Sequence, residues 1–358
     1  MKYMFLIIMG VCVFGCKKNN VQLRFLDEYI LKDSMIFKNS MIGGLSGIDN
    51  YKDLYYLVVD DAKKPRVLTS KITIEKGKIK DISFKNIIYI KDTSSTFYRK
   101  EVLDLESIFI DSNAHINLVS EGSIKNGKRP TVFISDSLGR FVNEVYLPSN
   151  LGNINEGKHK HNAVFEGSCK SIDKKGFWVS LEAPLNIDVE KPSYENSKLP
   201  VRITYFDSDE GKATKQYIYE LSPIERPPRG AINSNGVTAI LEFRKEEFFI
   251  VERIYQSGYG IHGNMIRIFK ATTEKNTTNT LNMNTLRNVN YIPLKKNLLF
   301  DFNRVNNQLK KGVIDNVEGI CFGDVLPNGN KTLLLISDNN FQLNGKQFNQ
   351  FLLLEMVE

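Results

Sequence analysis

Apolar positions along the chain fall in short runs rich in Ile, Val, Phe and Tyr, broken by Gly, Asn, Asp and Lys-Gly turns, with hardly any sustained helical period. Such runs predict β-strands. Leu54 to Val59, Thr131 to Ser135, Phe177 to Leu181, Phe248 to Val251 and Thr332 to Ile336 are the clearest. Asp173-Lys174-Lys175-Gly176 and Pro327-Asn328-Gly329-Asn330 carry the residues that tight turns need, and predict hairpins.

The hairpins repeat. Each opens on a similar short signature: Leu45-Ser46-Gly47-Ile48, Leu105-Glu106-Ser107-Ile108, Phe165-Glu166-Gly167-Ser168, Val237-Thr238-Ala239-Ile240 and Val317-Glu318-Gly319-Ile320. The strand that follows ends on an acid, in turn Asp60-Asp61, Glu121, Glu182, Glu252 and Asp338. A second strand pair is expected behind each hairpin, such as Thr131 to Ser135 with Phe141 to Leu147, or Val201 to Phe206 with Gln216 to Leu221. Four antiparallel strands recurring about every 60 to 80 residues predict an all-β fold, a β-propeller of four-stranded blades, over an ordinary sandwich. Five units can be counted, and the long fourth one, Val237 to Arg304, leaves room for a sixth blade. Leu23 to Leu31 is placed to pair beside Phe348 to Val357 and close the ring, protecting its edges.

In a blade the first strand lines the central channel and the second runs back beside it. The start of one and the end of the other therefore share a face, and the repeat gathers its acids at one mouth. Glu106, Glu166 and Glu318 open first strands; Asp60, Asp61, Glu121, Glu182, Glu252 and Asp338 close second strands. Converging carboxylates repel unless a hard cation or interleaved Arg and Lys offset them, and all-oxygen ligands favour Ca²⁺ over softer metals. Ser46 and Thr238 stand where the other repeats have Glu, so the ring is incomplete. Arg99, Arg229 and Arg253 lie beside these segments and suit an anionic ligand. Taken singly, strand-end acids cap turns and pair with neighbouring Arg; the signal is their recurrence. His159-Lys160-His161 reads as a solvated loop, and His115 and His262 as structural. Cys169 and Cys321 follow the signature Glu by three residues, and are expected as buried free thiols rather than a disulfide.

The N-terminus changes the setting. Lys2 precedes an apolar run from Phe5 to Phe14 that ends in Gly15-Cys16, the form of a lipoprotein signal, too short for a span of about 20 residues. Residues 1–15 are expected to be removed, 16–20 to form a tether lipidated at Cys16, and 21–358 to form the propeller. The protein would then be exported and lipid-anchored in a bacterial cell envelope, with the outer membrane expected. The formal charge of +7, or +6 without Lys2, is scattered rather than clustered, and no phosphate loop or aromatic-basic motif points to nucleic acid. An anionic small molecule is the expected partner, and a monomer the expected state.

The chain resembles the family described as esterase-like activity of phytase. The resemblance is carried by Gly43 to Asp49, Asp104 to Ile108, Asn162 to Gly167, Phe248 to Arg253, Asn316 to Gly323 and Leu335 to Phe341, in that order over nearly the whole mature chain. It implies a propeller and a phosphoric-ester hydrolase. On that reading Glu106, Glu166, Glu318, Arg99 and Arg253 are catalytic, and Arg229, Asn162 and Asn339 bind substrate. Asp60, Asp61, Asp338, Glu182 and Glu252 hold Ca²⁺. A ligand-binding propeller without catalysis, or a metal-dependent carboxylic-ester or lactone hydrolase, are the alternatives.

Overall fold

The computed structural model describes residues 20–154, 158–189, 199–343 and 345–358; the expected signal, Cys16 and most of the expected tether lie outside them. Five four-stranded antiparallel sheets form the blades of a propeller. Blade one runs through Leu45–Tyr51, Leu54–Val59, Arg66–Glu75 and Lys78–Tyr89. Blade two comprises Leu105–Ile110, Ile116–Ser120, Thr131–Ser135 and Phe141–Glu144. Blade three follows with Phe165–Lys170, Gly176–Leu181, Leu199–Asp207 and Lys212–Leu221. Asn233–Arg244, Glu247–Gln256, Asn264–Thr272 and Lys295–Asp301 make blade four. Blade five is built from Asn316–Val325, Lys331–Asp338 and Gln350–Val357, and its outer strand is the N-terminal Gln22–Ile30. That strand pairs antiparallel with Gln350–Val357, Gln22 opposite Val357, so the two ends of the chain lock the ring in one sheet.

Among the described residues there is no sixth blade. The extra length of the fourth unit is the connection between its third and fourth strands, which folds back onto the outer strand of blade three. Thr280 N donates to Gln216 O (2.8 Å) and Leu294 N to Ile218 O (2.8 Å), covering an edge that would otherwise be open. Beneath it the buried Arg202 guanidinium meets both Asp188 oxygens (2.7 and 2.8 Å) and Gln216 Oε1 (2.6 Å).

Blade faces are apolar on both sides and pack on their neighbours. Phe109 of blade two meets Phe177 of blade three (centroids 5.0 Å apart), and the single tryptophan, Trp178, meets Phe248 of blade four edge-on (4.9 Å). The first strands contact one another in a closed circle around the channel.

The register slips at the same place in all five blades, between Leu45 and Gly47, Leu105 and Ser107, Phe165 and Gly167, Val237 and Ala239, and Val317 and Gly319. A bulge re-aims the extra residue, here Ser46, Glu106, Glu166, Thr238 and Glu318. The two hydroxyls in this ring latch neighbouring blades: Ser46 Oγ donates to Leu105 O (2.8 Å) and Thr238 Oγ1 to Val317 O (2.7 Å). Both sites are buried, so Ser46→Ala and Thr238→Val should each cost about 1 kcal/mol. They lie in different blade interfaces, so the pair should cost about 2 kcal/mol in denaturant unfolding.

Candidate functional site

The three bulge glutamates and four of the acids closing second strands converge on one cavity of about 1030 Å³ at the channel mouth. Asp60, Glu106, Glu121, Glu166, Glu182, Glu318 and Asp338 all line it. Asp60, Asp104 and Glu106 each offer a carboxylate oxygen, all within 4.8 Å of one another, and Glu106, Glu121 and Glu166 form a second such set. Glu106 belongs to both. Glu166 is buried, and its Oε2 finds no hydrogen-bond partner among the described residues.

Register explains which acids arrive. Asp60, Glu121, Glu182 and Asp338 each follow the residue paired with the first signature position, namely Val59, Ser120, Leu181 and Ser337. In blade four the residue so paired is Glu252 itself, opposite Val237, so the ring position belongs to Arg253. Strand alternation then turns Glu252 away from the cavity. It is buried between blades, accepting from Tyr219 Oη (2.6 Å) and Ser222 N (3.2 Å) and paired with Lys296. Its assignment as a metal ligand is therefore corrected. Arg253 bridges the neighbouring blades instead, reaching Glu182 Oε1 (3.0 Å), Glu318 Oε1 (2.5 Å) and Asn316.

Four other expected residues, Asp61, Arg99, Arg229 and Asn339, are not brought to the cavity. Asp61 turns to Arg66 (2.7 Å) within its own loop. Arg99, on the short helix Thr96–Lys100, donates to Thr93 O (2.5 Å) at the surface. Arg229 stacks its guanidinium on Tyr259, 4.4 Å from the ring centroid. Asn339 accepts from Gly44 N (3.1 Å) and Phe341 N (3.2 Å), fastening blade five to blade one. Gly44 sits at φ +62° with Phe341 pressed against it, where a side chain would collide at 2.5 Å, so the paired glycines there serve blade closure. Asn162 does line the cavity, at an exposed turn. His159 is buried rather than solvated, and burial pushes it down to about 4. Cys169 and Cys321 are buried free thiols.

Asp104 and Lys160 were missed as site residues. Asp104 stands directly before a signature, where the other repeats have Gly44, Val164, Gly236 and Asn316, so no recurrence marks it. Lys160 lines the cavity; burial lowers its pKa while Glu182 pulls it back up.

The acids sit in a site that disfavours their charge. Burial, then Asp104, raises Asp60; burial, then Asp60 and Glu166, raises Glu106 well above the usual range; burial, then Glu182, does the same to Glu166. Burial carries Glu121 up to about 8, Glu318 to about 8 against the pull of Arg253, and Asp338 to about 6. Such a set either keeps protons or takes a cation.

This is an acid-lined propeller mouth. The sequence profile of the phytase-like family, described as esterase-like activity of phytase, matches residues 40–341, most of the chain, and the protein belongs to that family. No curated protein matches it. Solved structures it is similar to include an endo-arabinase from Bacteroides thetaiotaomicron (12% identity, 87% of this chain and 93% of that one, TM-score 0.46). A β-xylosidase is another (9% identity, 88% and 93%, TM-score 0.44). Likenesses this distant say nothing about chemistry.

A carboxyl whose folded pKa exceeds its unfolded value stabilises the native state below the unfolded pKa, and that contribution is lost as pH rises through the folded value. With a chelator present, the melting temperature should therefore fall as pH rises from about 4.5 to about 8, the range bounded by an unperturbed Glu and by Glu121 and Glu318. Glu166→Gln should flatten that fall, as read by thermal melts across the pH series.

Proposed function

We propose that this mouth is the active site of a Ca²⁺-dependent hydrolase of phosphoric esters. The observation that carries the reading is the pair of carboxylate triads sharing Glu106, with a buried Glu166 oxygen left without a donor. The donor set fits a hard cation: it offers oxygen alone, and Ca²⁺ takes about six to eight oxygen ligands, the remainder from water and substrate. Asp60, Asp104, Glu106, Glu121 and Glu166 would hold it. Bound there, Ca²⁺ supplies charge for the phosphoryl oxygens and lowers the pKa of a water.

The chain's own residues do the rest. Arg253 is committed to Glu182 and Glu318, and so offsets their charge against an incoming anion. Lys160 and Asn162 line the same cavity and are the groups available to donate to the phosphate. Asp338, outside both triads and raised to about 6, accepts and returns the proton of the attacking water. The family's description as esterase-like supports hydrolysis in general, and the acid set directs it to a metal.

Purified protein should hydrolyse phosphomonoesters with Ca²⁺ and not with a chelator, and Glu106→Gln should lower kcat/KM by about 100-fold or more. Ca²⁺ binding without turnover of any ester would overturn the hydrolase and leave a ligand-binding propeller; turnover confined to carboxylic esters or lactones would move the chemistry to that bond.

The proposed setting is the cell envelope, with the protein anchored as a monomer through Cys16. Cys16→Ser should shift it from the membrane fraction to the soluble extract on cell fractionation. Retention of that variant in the membrane would sink the lipid anchor.

A further inference from the structure

The mouth is not symmetric. The first two strands of blade four continue past the ring position: Asn233 to Gly236 precede Val237, and Ile254 to Gln256 follow Arg253. They raise a wall on one side of the acid cluster. Tyr255 lies two residues beyond Arg253 on the same strand, so both side chains project from one face. Ile232, Tyr255 and Ile261 all line the cavity, and are 53%, 36% and 52% exposed. Behind them Ile224, Ile254 and Met265 form a small core of their own.

The wall is built to hold its shape. Arg226 stacks on Tyr259 at 3.6 Å and donates to Gln256 Oε1 (2.8 Å), His262 O (2.9 Å) and Gly263 O (3.0 Å). Tyr259 Oη donates to Pro227 O (2.6 Å), and Ser257 N to Ile232 O (2.9 Å). Both rim segments that carry the exposed isoleucines are thus cross-tied, and the apolar face exists before any ligand arrives.

Charge narrows what can use it. Among the described residues, eight carboxyl side chains line the cavity against three basic ones, Lys160, Arg253 and Lys346. Two divalent cations would offset four of the five excess negative charges, so this lining has no surplus of positive charge for a ligand bearing several phosphates. Volume points the same way: about 1030 Å³ is the size of a site for a whole organic molecule, far beyond one phosphoryl group.

Resting on the phosphoric-ester reading, we propose that the substrate is a monoester of an apolar alcohol. Its aryl or branched-alkyl group lies on Ile232, Tyr255 and Ile261 while the phosphate faces the acid cluster. Polyphosphorylated sugars and inositols are disfavoured.

Binding tests this apart from turnover. In calorimetry with Ca²⁺, phenylphosphonate should bind at least about tenfold tighter than methylphosphonate, from the apolar area it covers. The gap should close in the Ile232→Ser/Ile261→Ser variant, whose replaced side chains are half exposed, with an unchanged melting temperature as the check on folding. Equal affinity for the two phosphonates, a gap that survives the double substitution, or tighter binding of inositol hexakisphosphate would each overturn the inference. Turnover assays test hydrolysis separately: a phenyl-selective site without turnover would overturn the hydrolase and keep the wall, whereas turnover without phenyl selectivity would do the reverse.

Discussion

Arg253 is the residue on which the mouth depends. Closing five blades into a ring forces the ends of five hairpins together, and the repeat puts carboxyls at most of those ends. Arg253 enters the ring from blade four with one arm on Glu182 of blade three and the other on Glu318 and Asn316 of blade five. A partly buried guanidinium between two carboxylates offsets their charge and spans three blades at once. It also divides the mouth. Glu182 and Glu318 are paired with it directly, while Asp60, Asp104, Glu106, Glu121 and Glu166 supply the two carboxylate sets that a cation would fit.

The bulges make this convergence possible. A regular strand would alternate its side chains between the blade faces, and the second signature residue would be one member of that series. The slip at the same place in every blade frees that residue to turn to the channel. Where the residue is Glu it joins the acid cluster. Where it is Ser46 or Thr238 it bonds the next blade's backbone instead, so the apparent gaps in the ring are interblade fastenings.

Much of this was legible along the chain. The hairpins, their count and the sheet shared by both termini followed from short apolar runs and turn residues, since strand pairing of neighbours is local. Glu106, Glu166 and Glu318 were found by recurrence. Recurrence misled at Glu252, because it ranks residues by likeness and not by register; one position decides between an interblade pair with Lys296 and a place in the ring. Arg99, Arg229 and Asp61 show the same limit. They are near the signatures in sequence, and their side chains are taken up by Thr93 and Arg66 a few residues away and, for Arg229, by Tyr259 on a neighbouring loop.

The amino-acid order by itself determined a repeating array of β-hairpins with acids at one end, with five units visible and a sixth blade left open, because those features rest on periodicity and turn chemistry within a few residues. Only the tertiary structure decided which acids share a cation site, that Arg253 and not Glu252 completes the ring, and that blade four adds an apolar wall. Those depend on bulges, register and the meeting of residues far apart in the chain, and ring closure alone brings them together.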